Sequence, residues 1–112
     1  MRVINQTSGE VILHELNIAD TFSKRFFGLM GKKELKSGSG LKIEPCRSIH
    51  TFNMKFPIDV VFLSEEHKVV ELICSMKPGK VSSIVKGARY VIEANAYEFK
   101  DRVQEGDTIR VE

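Results

Sequence analysis

Pro57-Ile58-Asp59-Val60-Val61-Phe62-Leu63, followed by Ser64-Glu65-Glu66-His67, is the stretch that decides the fold. β-Branched and aromatic side chains fit a pleated, buried surface, so Ile58 to Leu63 reads as a strand and the polar residues after it as a turn. Lys68 to Met76 then offers Val69, Val70, Leu72, Ile73 and Cys74 as a second strand, and Lys77-Pro78-Gly79-Lys80 is a second turn. Asp59 interrupts the apolar run. A buried carboxylate is costly unless it is paired or hydrogen-bonded, so this strand must bring Asp59 to a partner.

Working outward, Leu41 to Ile43, Ile49 to Asn53, Tyr90 to Ala94 and Thr108 to Val111 read as further strands, with one or two helical turns over Tyr97 to Gln104 before Gly106. Val3 to Asn5 and Glu10 to Leu16 form a hairpin around the turn signal Thr7-Ser8-Gly9. The best helix runs from Thr21 to Met30: Asp20 or Thr21 caps it, Phe22, Phe26, Leu29 and Met30 recur at helical spacing, and Gly31 ends it. Ser37-Gly38-Ser39-Gly40 reads as a loop. These elements predict one α+β domain over residues 1–112, mainly antiparallel β, a partly closed small barrel with the one main helix packed across an opening.

A chain of 112 residues with 42% apolar and 29% charged side chains has room for one core, with no linker, repeat or low-complexity segment. The formal net charge is +2 and basic residues alternate with acidic ones along the chain, which gives no expectation of a nucleic-acid partner. No apolar run approaches the roughly 20 residues that cross a bilayer, and Met1-Arg2-Val3-Ile4-Asn5-Gln6 lacks the apolar core of an export signal, so a cytoplasmic chain without a membrane partner is expected. Cys46 and Cys74 lie far apart without a Cys-x-x-Cys spacing, as reduced thiols do.

The chain resembles the domain of unknown function 192 family, a set of small stand-alone domains. The resemblance runs from about Ile18 to Val111. It rests on Arg25-Phe26-Phe27-Gly28-Leu29-Met30 and on Ile49-His50-Thr51 with Met54 and Pro57-Ile58-Asp59-Val60-Val61-Phe62. Ala19-Asp20-Thr21, Glu93 and Gly106-Asp107 add to it. The family commonly places a glycine shortly after the late glutamate, where this chain reads Glu93-Ala94-Asn95-Ala96-Tyr97. The resemblance implies a fold and carries over no activity.

The polar residues near the decisive strand divide between scaffold and site. Arg25 emerges at the edge of the expected helix's apolar face, where it either pairs with Asp59 or binds an anionic ligand. Gly28 reads as close packing of that helix on a strand. Cys46 and His50 would be roughly 13 Å apart on an extended chain at ~3.3 Å per residue. A bend at Pro45 or through Arg47-Ser48 would join them, and with Asp59 or Glu44 as orienter they would be equipped for thiolate attack. The plainer reading makes Cys46 a small buried hydrophobe and His50 a hydrogen-bonding group. His14, His50 and His67 match no metal-ligand spacing, so no metal or cofactor is expected. Met30, Met54 and Met76, with Phe26, Phe52, Phe56 and Phe62, read as core.

The adopted reading is a non-catalytic domain that binds a small molecule or a protein partner through Arg25, Arg47, His50, Met54 and Asp59. The alternative is a hydrolase or transferase using Cys46, His50 and Asp59, and a third reading docks an exposed strand edge onto a larger assembly. A monomer or weak dimer is expected.

Overall fold

A computed structural model describes residues 1–19, 21 and 29–112. Eight strands follow one another: β1 (Val3–Asn5), β2 (Glu10–Leu13), β3 (Glu15–Ala19), β4 (Ser39–Ile43), β5 (Ile58–Leu63), β6 (Val69–Met76), β7 (Tyr90–Asn95) and β8 (Ile109–Val111). They form a three-stranded sheet in the order β2-β1-β8 and a five-stranded sheet in the order β3-β4-β7-β5-β6. β3 and β4 pair in parallel and every other neighbouring pair is antiparallel.

The α+β expectation is corrected by this arrangement. Among the described residues there is no helix, and the strands make two open sheets in place of a partly closed barrel. The helix expected over Thr21 to Met30 falls on residues outside the described ones, apart from Thr21, Leu29 and Met30, and the last two sit in a turn. Over Tyr97 to Gln104 the backbone makes successive turns, because Tyr97 at φ 75° and Asp101 at φ 62° interrupt any regular helix. Ile49 to Asn53 is likewise no strand and contributes a single bridge, His50 to Val81.

The predicted strand Glu10 to Leu16 is two strands. At His14 the chain leaves the small sheet for the large one, held there because the His14 and Glu15 amides both donate to the Gly38 carbonyl. Ser39 and Gly40, expected in a loop, open β4. Propensity argued against a strand there, and packing overrides it. A Cβ on Gly40 would lie 2.6 Å from Leu13 Cδ1 and 2.9 Å from the Glu93 carbonyl oxygen, so only glycine lets the crossing chains approach this closely.

Each face of the large sheet has its own core. One packs Val61, Leu63, Ile92 and Ala94 against Val3, Ile12 and Ile109 of the small sheet, with Phe99 and Val103 closing the gap. The other carries Ile43, Ile58, Val60, Phe62 and Val91, covered by Leu29, Ile49, Met54, Val85 and Ala88 from the connections.

Asp59 belongs to the first of these faces. It is fully buried, and its carboxylate accepts hydrogen bonds from the Ser75 amide at 2.8 Å and the Phe99 amide at 3.0 Å. The Ser75 amide is available because β6 bulges: Ile58 faces Met76 while Val60 faces Ile73, so β6 spends one residue more than β5, and Ser75 takes φ 53°. Asp59 therefore fastens the bulge and the turn carrying Phe99 to the central strand. Asp59→Ala leaves two buried amides without acceptors and is expected to cost about 3–5 kcal/mol. Glu65→Ala in the exposed turn should cost no more than about 0.5 kcal/mol. Urea denaturation of both variants checks this, and equal small losses would remove Asp59 from its structural role.

Candidate functional site

Two long connections, residues 44–57 and 77–89, run antiparallel to each other across the second face of the large sheet. Their backbones are laced together: Cys46 N donates to Arg89 O, Val85 N to Arg47 O, Ser82 N to Ile49 O, and Thr51 N to Lys80 O. Thr51, fully buried, fixes the Lys77–Lys80 turn, since its hydroxyl donates to Lys77 O at 2.6 Å and accepts from Lys80 N at 2.8 Å. Ser48 Oγ is 3.1 Å from the Ser82 carbonyl. Ile49, Met54, Val85 and Ala88 point inward into the core, which leaves Arg47, Phe52, Val81 and Ile84 outward.

The sequence-predicted residues divide across this layer. Arg25 lies outside the described residues. Arg47 is exposed, His50 is half-buried and Met54 is buried beneath the layer. The His50 ring stacks on Phe52 with centroids 5.2 Å apart, and its Nδ1 accepts from the Phe52 amide at 3.2 Å. Cys46 packs against the same core, and its thiol donates to the Ser48 carbonyl at 3.2 Å. Asp59 looks the other way: its cross-strand partner Ala94 belongs to the core under the small sheet, whereas Cys46 borders the opposite core. Among the described residues no hydrogen bond links Cys46, His50 and Asp59.

Burial pushes the Cys46 thiol up, the Ser48 backbone works against that rise, and the nearby Glu93 charge adds to it. A protonated, hydrogen-bonded thiol is a poor nucleophile. Cys74 is also free but exposed, on the β6 bulge, where it lines an open groove of about 610 Å³ with Leu72, Lys100 and Asp101. Iodoacetamide at pH 7.5 should therefore modify Cys74 well before Cys46 in the folded protein, as peptide mass mapping would show. Faster labelling of Cys46 would mean that its thiolate is stabilised after all.

Glu93 is the residue that sequence reasoning passed over as a site candidate. It sits on β7 directly between Leu41 of β4 and Val60 of β5, on the face covered by the laced connections, and is 3% exposed. Burial pushes its pKa up to about 7. The signal lies in Tyr90-Val91-Ile92-Glu93-Ala94, an acid inside an apolar strand as Asp59 is in Ile58 to Leu63. Two such carboxylates differ in what surrounds them, because Asp59 receives backbone amides while, among the described residues, the cross-strand neighbours of Glu93 are the apolar Leu41 and Val60.

A carboxyl whose folded pKa exceeds its unfolded value stabilises the fold fully below the unfolded pKa, and that contribution fades as pH rises through the folded one. For Glu93 the window runs from the ordinary glutamate value of 4.5 to about 7. Folding stability should fall by roughly 1 kcal/mol per pH unit across it, with the slope largely gone in Glu93→Gln. Urea midpoints from pH 4.5 to 8 measure this, and an unchanged slope in the variant would assign the pH dependence to other groups.

With the geometry in place, comparison with known proteins gives the class. Residues 3–111 match the family DUF192, described as an uncharacterized ACR family. A UPF0127 protein of Pyrococcus furiosus is 36% identical over 112 residues, covering 91% of this chain and 96% of that protein. One from Thermococcus kodakarensis is 34% identical over 113 residues, covering 96% and 71%. The chain belongs to the DUF192 family, whose relatives here are UPF0127 proteins. A crystal structure of a protein of unknown function from Novosphingobium aromaticivorans shares the fold, with a TM-score of 0.82 at 21% identity over 99% of this chain and 84% of that one. The crystal structure of a protein from Sinorhizobium meliloti described as a putative transcription regulator shares it too, with a TM-score of 0.80 at 23% identity over 97% of this chain and 89% of that one.

Proposed function

We propose that this domain binds a small molecule or a protein partner, without catalysis, on the outer surface of the laced connections around His50. The observation that supports the reading is the His50–Phe52 stack: Phe52 is 47% exposed, beside the Val81 that bridges His50. An aromatic pair held open to solvent by a hydrogen-bonded backbone contributes little to the core and offers a preformed contact surface. Arg47 supplies charge at its border, and Met54, buried beneath, supports the layer from the core side. Arg25 joins this set from the sequence alone, as an anion-binding residue.

The test is a thermal-shift screen with a panel of soluble metabolites, run in parallel on the native protein and on His50→Ala. Truncating this half-buried ring should change stability by no more than about 0.5 kcal/mol. A compound that raises the melting temperature of the native protein should leave that of the variant unmoved. An unfolded variant would make the imidazole a structural group, and a shift that survives the substitution would place binding elsewhere.

A further inference from the structure

The two laced connections are polarised in charge to a degree that the whole chain conceals. Residues 44–57 and 77–89 contain Arg47, Lys55, Lys77, Lys80, Lys86 and Arg89, six of the 17 basic residues, and a single one of the 15 acidic ones, Glu44 at the start of the first connection. The rest of the chain is left with eleven cations against fourteen anions. All six side chains belong to exposed residues, and of them Arg89 reaches Glu44 at 3.1 Å. Within the same layer stand three of the large exposed apolar side chains, Phe52 at 47%, Val81 at 60% and Ile84 at 73%.

Three classes of partner have negative charge to offer such a surface, and its composition discriminates among them. Protein interfaces are depleted in lysine at their centres, while four of these six cations are lysines. Single-stranded nucleic acid would use aromatic faces for stacking, yet the Phe52 ring is already stacked on His50 and the aliphatic Val81 and Ile84 would find no counterpart among phosphates. An anionic bilayer uses both features: lysines are drawn to the headgroups while protruding aliphatic and aromatic tips enter the boundary of the acyl chains.

We infer that the laced connections dock this domain peripherally on an anionic lipid surface, with Phe52, Val81 and Ile84 entering the interface and the surrounding lysines engaging the headgroups. The inference rests on the reading of this layer as the binding face. No helix among the described residues is long and apolar enough to cross a membrane, and lying on one requires no such helix.

Vesicle co-sedimentation tests it, using phosphatidylcholine alone and phosphatidylcholine with 30% phosphatidylserine as an order-of-magnitude physiological charge. The protein should sediment with the charged vesicles, remain in solution with the neutral ones, and be released by high salt. Lys77→Glu/Lys80→Glu should weaken partitioning at least about tenfold, and Val81→Ser/Ile84→Ser should do so even at low salt. Lys68→Glu/Arg110→Glu, the same charge change in the β5–β6 turn and on the β8 strand that follows its bridge to Thr108, should partition like the native chain. Absence of sedimentation with charged vesicles, or equal loss in the distant variant, overturns the lipid assignment. If vesicles are ignored while a single-stranded RNA oligonucleotide or a polyglutamate peptide binds and Lys77→Glu/Lys80→Glu abolishes that binding, the lipid assignment falls and the binding face stands. If none of these probes binds and the metabolite panel also produces no shift dependent on His50, both fall.

Discussion

Strand β5 is buried at all six of its positions, and this constraint organises the molecule. A strand whose side chains alternate between two faces, all of them shielded from water, requires a cover on each side of its sheet. The small sheet covers one side with Val3, Ile12 and Ile109. On the other, no second sheet is present among the described residues, and the cover comes from connections whose backbone groups must find partners of their own. They find them in each other, which is why residues 44–57 and 77–89 are laced by amide-to-carbonyl bonds and why Thr51 is buried under a turn it satisfies. A cover of this kind presents its outward side chains on irregular backbone, and that is where the binding surface is proposed.

The buried polar groups sort by the same geometry. Asp59 and Asn5 both lie on the side of the small sheet and both accept backbone amides: Asp59 those of Ser75 and Phe99, Asn5 those of Thr7 and Ser8. The Asn5 amide group also donates to Asp107, itself an acceptor for the Gln104 amide, so this side is stitched where strands meet turns. On the other face Glu93 lies between Leu41 and Val60, and burial raises its pKa to about 7. A charge is tolerated where bulged or turning backbone supplies donors, and proton uptake relieves it where the neighbouring side chains are apolar.

Much of the strand set could be read from composition, because Ile58 to Leu63, Lys68 to Met76 and Tyr90 to Ala94 combine β-rich content with turn chemistry at their ends. What escaped depends on contacts distant in sequence. The sheet switch at His14 and the strand role of Gly40 are set by Gly38, Leu13 and Glu93, none of which local propensity consults. Ile49 to Asn53 looked like a strand because alternate residues must face the core, and an extended connection laced to another connection obeys the same alternation. The barrel failed because edge strands β3 and β6 never meet, a property of topology that alternation does not encode. For the candidate site, the density of polar residues near His50 was legible. The opposite orientations of Asp59 and Cys46 needed the register. The shortage of acids in residues 45–57 and 77–89 stands in the sequence itself, but that these two segments lie side by side in one layer does not.

β1 pairs with β8 as well as with β2, and the Arg2 and Glu112 backbones exchange hydrogen bonds at 2.6 and 3.1 Å. The first of the described strands therefore has a neighbour that leaves the ribosome after the other seven. During synthesis β1 and β2 can zip into a two-stranded ribbon, which alone is marginal in water, while the Ile109 that completes their core is still untranslated. For that interval the apolar side of the large sheet lacks its finished lid. The first core of this domain can close only once β8 has joined β1.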